Sequence, residues 1–265
     1  MKLQGKTVLI TGGTSGIGLE LARRLIERGN TVAVSGRERR KLDEARRTLP
    51  NLHVFESDVA DPRAIASLHA RVLGELPALD VLVNNAGIMR NLDLNQPHEL
   101  TDVTSEIDIL LRGPIQMTQQ FLPHLRSRGD ALIVNVSSGL AFIPFAISPV
   151  YSAAKAGLHA FTQCLRVQLA GTGVRVVELA PPGTETPLFR GEFEREMKGQ
   201  KGMDVKVLVE KAIAGIEAGK TEIRPGLANV LKTMSRLAPA FMFKQITKMS
   251  RPQASPKQLK GGDAR

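Results

Sequence analysis

Short runs of apolar and β-branched residues recur along the chain at 7–11 (TVLIT), 31–35 (TVAVS), 52–56 (LHVFE), 79–83 (LDVLV), 131–136 (ALIVNV) and 174–179 (VRVVEL). Most are nearly continuous rather than alternating, the pattern of strands covered on both faces. Between them apolar positions repeat at helical spacing, as in 17–28 with Ile17, Leu21, Leu25 and Ile26. Strands alternating with helices predict an α/β fold, a Rossmann-type doubly wound parallel sheet. A weaker run, TEIR at 221–224, is expected to extend it. No linker or shift of composition divides the chain before about residue 250, so 1–250 is read as one domain. The last stretch, SRPQASPKQLKGGDAR, lacks any apolar period, and 251–265 is expected to be a disordered basic tail.

At 265 residues and 42% apolar, the chain can bury one sizeable core. The net charge of +10 raises nucleic acid as a partner, but its distribution argues otherwise. From Lys232 to Arg265, eight Lys or Arg stand against one Asp, which places +7 in 34 residues and leaves the body near +3. No aromatic platform accompanies that charge, so nucleic acid is set aside. The single cysteine, Cys164, excludes an intramolecular disulfide and falls in an apolar helical pattern that predicts a small buried core residue. No apolar run approaches the roughly 18 residues of a membrane span. The opening MKLQGKTVLITGG reads as a strand entering a glycine loop rather than an export signal, and a cytoplasmic protein is the expectation.

Two patterns carry chemistry. TGGTSGIG, Thr11 to Gly18, follows the first strand and opens the first helix. Glycines at 12, 16 and 18 allow a tight turn and close approach to a pyrophosphate, with helix N-terminal amides facing its charge. The chain's one tyrosine, Tyr151, stands four positions before Lys155, so the two share a helix face. A free phenol titrates near 10, and a neighbouring ammonium is expected to lower that value, giving an acid/base suited to a carbonyl oxygen. At the end of the second strand an acidic residue would bind the ribose hydroxyls of NAD; here stand Ser35, Gly36 and Arg37. A guanidinium suits a 2′-phosphate, so NADP is expected over NAD, with Arg37 as main ligand and Ser35 assisting. The alternative is that Arg37 merely begins a solvated basic helix with Arg39, Arg40 and Lys41.

The glycine loop, NNAG at 84–87, SS at 137–138 and Y-x-x-x-K at 151–155, in this order and spacing, resemble the short-chain dehydrogenase/reductase family from about residue 5 to 225. GGTSGIG with SGRERRKL, and GKTEIRPG near 220, resemble its DltE-like subgroup of bacterial oxidoreductases. The resemblance implies about seven parallel strands binding NAD(H) or NADP(H) at their carboxyl ends. It implies a catalytic set of Ser138, Tyr151 and Lys155, with Ser138 on the substrate oxygen and Lys155 also on the nicotinamide ribose. Ser137 is turned to the other side by strand alternation. Cofactor contacts carry over to Gly12, Thr14, Ser15, Gly16, Ile17 and Gly18 of the loop, and to Asp58 and Val59 beside the adenine. They continue at Asn84, Ala86 and Gly87, and at Pro181, Thr184 and Thr186 of PPGTETP beside the carboxamide. A homodimer or homotetramer packed through helices at about 98–125 and 151–169 is implied as well.

The substrate is expected to be a small, uncharged carbonyl or alcohol. GLAFIPFAISPV, between Ser138 and Tyr151, offers Phe142, Ile143 and Phe145 to an apolar pocket, or equally to the core or a subunit contact. Leu188 and Phe189 are placed to cover it. The segment 230–250 interleaves apolar and basic residues; it packs over the cleft or a partner, or touches anionic membrane, with Pro239 interrupting any single long helix. A rival to an enzyme is a redox sensor or scaffold that binds NADP(H) without turnover. One departure stands out: the family's asparagine, which helps hold a water that passes protons to the lysine, aligns with Leu110 in EIDILLRGPI. Asp108 faces away from that position by roughly 200°. Either a backbone carbonyl near 110 holds the water or the relay is slowed, and modest impairment is the expectation.

Overall fold

The computed structural model describes residues 1–193 and 199–249, so the tail expected at 251–265 lies outside the described residues. The first half runs β1 (Thr7–Thr11), α1 (Gly16–Glu27), β2 (Thr31–Gly36), α2 (Arg39–Thr48), β3 (Leu52–Glu56), α3 (Pro62–Glu75) and β4 (Leu79–Asn84). It continues with α4 (Leu100–Val103), α5 (Ser105–Ile107), α6 (Gly113–Ser127), β5 (Ala131–Val136), α7 (Pro149–Gln168) and β6 (Val174–Leu179). The last elements are α8 (Pro187–Arg190), α9 (Val205–Glu217), β7 (Glu222–Ile223), α10 (Leu227–Leu237) and α11 (Pro239–Met249). Seven strands form one parallel sheet in the order β3-β2-β1-β4-β5-β6-β7.

Successive side chains on each strand serve opposite layers. Val8, Ile10, Val32 and Val34 pack beneath Leu21 and Leu25 of α1 and Val209 and Ile213 of α9. Leu9, Leu82 and Ile133 face Leu68 of α3, Met117 and Phe121 of α6 and Leu165 of α7. Burying a leucine- or phenylalanine-sized side chain contributes about 1.5–3 kcal/mol, so two full layers explain why the strands need no polar face. Strand order reverses between β1 and β4, and the carboxyl ends of the two diverge there into a crevice.

The helix expected over about 98–125 is broken. Asp108–Arg112 forms a π-helical turn, in which the Gly113 N–H reaches back to the carbonyl of Asp108. Pro114 explains the break, because it lacks the N–H that would bond the carbonyl of Leu110 four residues earlier. Pro239 separates α10 from α11 as expected, and no described helix is long and apolar enough to cross a membrane. Cys164 corrects an expectation: it is exposed. The buried positions of α7 include Tyr151, Ala154, Lys155, Leu158, Thr162 and Leu165, and Cys164 falls off that face.

Candidate active site

The glycine loop joins β1 to α1 at the crevice. Gly12 has φ +66°, and a β-carbon there would lie 2.6 Å from Cα of Ala86. Gly18 lies under the loop rather than on the cleft: a β-carbon there would meet the Gly12 carbonyl at 2.5 Å. The N-cap of α1, Ser15, makes no side-chain capping bond, which leaves the first amides of the helix facing the crevice. Asn85 holds the loop from β4, its side-chain amide donating to the carbonyls of Thr11 and Gly12 at 3.0 Å each. The backbone N–H groups of Asn85 and Ala86 donate to Thr11 Oγ1 at 3.0 Å.

A cleft of about 750 Å3 opens along the carboxyl ends of the strands. Gly12, Thr14, Ser15, Gly16, Ile17, Ser35, Arg37, Asp58, Val59, Ala86, Gly87, Ser138, Tyr151, Lys155, Pro181, Thr184 and Thr186 all line it. Asn84 does not. Its amide is buried and donates to Asn135 Oδ1 at 2.8 Å, while Asn135 donates to Thr162 Oγ1 at 2.9 Å, a polar ladder inside the sheet. Asn85 is the residue of that pair on the cleft, as its neighbour in an NN dipeptide must face the other way. Phe145, Leu188 and Phe189 line the cleft, but Phe142 and Ile143 border a separate outer hollow with Pro239 and Phe243. From the C-terminal segment, Leu227, Leu231 and Ile246 complete the wall.

Ser138 lies two residues beyond the buried β5 and caps the 3₁₀ turn Gly139–Ala141, its Oγ accepting from the Leu140 N–H at 3.1 Å. Tyr151 and Lys155 come from the first turns of α7, both buried. The Ser138 and Tyr151 hydroxyls stand side by side on the cleft wall. Lys155 Nζ donates to the carbonyl of Val136 at 2.7 Å and lies 5.8 Å from the centre of the Tyr151 ring. The lowered phenol expected from a neighbouring ammonium is not found. Burial pushes Tyr151 up to about 12, outweighing the neighbouring Ser138 hydroxyl, which favours the anion, and the carboxyl of Glu106 adds to the rise. Burial likewise pulls Lys155 down to about 8 against the opposing charge of Glu178. The phenol is therefore neutral at pH 7, the form that donates a proton.

Where β2 ends at the cleft, Ser35 Oγ is fully buried with no hydrogen-bond partner. Arg37 is exposed and makes no salt bridge among the described residues. Arg39, Arg40 and Lys41 each pair within three or four residues, with Asp43, Glu44 and Glu38. An orphaned hydroxyl, a free guanidinium and a loop that excludes β-carbons fit a dinucleotide phosphate. No group of three or more His, Cys, Asp or Glu among the described residues is placed to hold a metal ion. Sequence reasoning missed Asn85, and also Glu178 and Glu106, whose burial no motif signals.

Comparison with known proteins gives the family. The family model for short chain dehydrogenases matches residues 6–197. The uncharacterised oxidoreductase DltE of Bacillus subtilis (strain 168) is 41% identical over 247 residues, spanning 93% of this chain and 98% of that protein. The NADP-dependent 3-hydroxy acid dehydrogenase YdfG of Escherichia coli (strain K12) is 35% identical over 175 residues, 66% of this chain and 71% of its own. Among solved structures, a short-chain dehydrogenase from Burkholderia cenocepacia J2315 in complex with NADP superposes with a TM-score of 0.80 at 24% identity, covering 93% of this chain and 99% of that one. The crevice, the loop that opens it and the residues along it thus sit on a chain that belongs to the short-chain dehydrogenase/reductase family of oxidoreductases.

Proposed function

We propose that the protein is an NADP(H)-dependent oxidoreductase that interconverts a carbonyl and an alcohol, with Tyr151 as general acid/base. The observation that carries this reading is the grouping of Ser138 and Tyr151 on the cleft wall with the buried ammonium of Lys155 beside them. A nicotinamide dinucleotide bound along the loop supplies the hydride for reduction. The Tyr151 hydroxyl gives its proton to the carbonyl oxygen, and Ser138 donates a hydrogen bond to the same oxygen. Lys155 stabilises the phenolate left behind, which matters because burial so strongly disfavours that anion.

For the cofactor, Arg37 and Ser35 would take the 2′-phosphate, Gly12 to Ile17 the pyrophosphate, and Thr184 and Thr186 the carboxamide side. Met89, Leu140, Phe145, Leu188, Phe189 and Phe193 surround the remaining space and favour an uncharged ketone or aldehyde. Exposed Leu100, Ile115 and Val167, on α4, α6 and α7, fit a homo-oligomer packed through these helices. Steady-state rates with NADPH and NADH test the cofactor assignment. NADPH should be preferred, and Arg37→Ser should lower its kcat/KM by about 10–100-fold, as expected for losing a charge-assisted contact of about 1.5–3 kcal/mol. Equal use of both cofactors by the wild type would remove the assignment. A carbonyl panel tests the substrate class, and preference for polar keto acids over apolar ketones would count against it.

A further inference from the structure

Tyr151 and Lys155 begin a stripe that continues one turn further, at His159, since residues four apart share a helix face. His159 Nδ1 lies 2.7 Å from Glu178 Oε2, and Ser137 Oγ donates to Glu178 Oε1 at 2.5 Å. Glu178 stands on β6 and is completely buried. Ser137 lies in the chain between Val136, whose carbonyl holds Lys155 Nζ, and Ser138 of the catalytic set. One carboxylate is thereby tied to the strand end that carries the site and to the helix that carries the acid and its lysine. The proton transfer described above makes no use of it.

A buried carboxylate is strongly disfavoured unless hydrogen bonds satisfy it and a cation balances it. Ser137 and His159 satisfy its two oxygens. The charged groups around it are Lys155 and His159 from α7, and Glu222 beside it on β7, where the two glutamates pair in register. Glu222 is already matched by Lys232 of α10 at 2.5 Å and by Arg224 at 3.3 Å. The Phe142 ring packs against both Lys232 and His159, 5.1 Å from each. The turn after β5 contributes Ser137 to the carboxylate. The groups near Glu178 that can carry a positive charge are His159, in contact with it, and Lys155, one helical turn earlier on the same stripe and bonded to the residue before Ser137.

We propose that Glu178 is a positioning residue whose buried carboxylate keeps the Lys155 ammonium charged inside the protein, so that Lys155 can support Tyr151 as it gives up its proton. Burial opposes that charge and the Glu178 field restores part of it. The catalytic consequence rests on the assignment of Lys155 as the partner of Tyr151. The electrostatic link itself does not.

The full chain, with lysine side chains labelled with 13C and 15N, tests the link by NMR titration. The Lys155 resonance is identified by its loss in Lys155→Arg. Its midpoint, near 8 in the wild type, should fall by about one pH unit or more in Glu178→Gln, as removal of an opposing charge requires. The alkaline limb of kcat for NADPH-dependent reduction should move down with it, while kcat near pH 6 stays within about twofold of wild type, because Lys155 is protonated there in both proteins. An unchanged Lys155 midpoint in folded Glu178→Gln overturns the proposal. A shifted midpoint in a protein that reduces no carbonyl would keep the link and reject the proposed reaction instead. If Glu178→Gln does not fold, the wild type still decides. The Glu178 carboxyl 13C resonance must show an inflection at the Lys155 midpoint, and a flat trace there overturns the proposal.

Discussion

Tyr151 and Lys155 are moved by one force, burial, in opposite directions: the phenol up to about 12 and the ammonium down to about 8. Both changes favour the neutral form, so at pH 7 the acid holds its proton with margin to spare and the lysine holds its own with little. Reduction should therefore be level with pH below about 8 and fall as Lys155 loses its proton above it, which a pH profile of kcat/KM with NADPH would read. Away from the cleft, Asn135 bridges Asn84 of β4 and Thr162 of α7. Asn135→Ala would leave the buried Asn84 amide with only its longer bond to Thr118 Oγ1, at 3.4 Å, and should destabilise the protein by about 1–3 kcal/mol, read as a lower urea midpoint. Residues were legible where a motif fixed their register, as for Tyr151, Lys155 and Ser138. They were not legible where a turn's path decides the facing. GLAFIPFAISPV has no period, so nothing in it separates Phe145 on the cleft from Phe142 and Ile143 outside it. The phenol's rise was missed because i, i+4 spacing reveals the neighbour but not the depth of burial.

The strands were legible as elements because each is an apolar run bounded by polar or glycine turns, and β1 to β6 fall within a residue of the expected limits. The helix before β5 was not. Its apolar period continues through 105–115, but the missing N–H of Pro114 opens the π-helical turn at Asp108–Arg112. That break bears on Leu110, which is fully buried, lines the cleft and packs beside Gly87. Pro114 has no N–H to give the Leu110 carbonyl its ordinary α-helical partner, and a carbonyl so placed suits the first of the two outcomes open from the sequence, a water held by the backbone. Leu110→Asn should then leave kcat within about twofold and lower stability by about 1–3 kcal/mol, because it buries an amide in an apolar layer. A folded Leu110→Asn protein with kcat raised tenfold would show that the relay was limiting.

On the scale of the whole molecule, the parallel sheet gathers residues from distant parts of the chain at one edge. The loop after β1, the ends of β2, β4 and β5, and the turn after β6 all open on one cleft, and α7 lays its acid and lysine across it. Residues of α10 and α11 close the far wall, so one sheet brings the glycine loop, the Ser138, Tyr151 and Lys155 group and an apolar lining to a single cleft. This assembly was legible as a fold because the strand–helix rhythm admits few arrangements. The closing wall was not, since 230–250 suits a cleft cover, a partner or a membrane surface equally by pattern. The central claim is that the groups so gathered act by proton transfer from Tyr151. Replacing it with phenylalanine removes one hydroxyl and little volume, which separates chemistry from packing. The deciding measurement is kcat for NADPH-dependent reduction of an apolar ketone by Tyr151→Phe, alongside its Kd for NADPH. The account predicts a loss in kcat of about 10²–10⁴-fold with Kd changed less than about threefold. A Tyr151→Phe protein that reduces the ketone at the wild-type rate would contradict it.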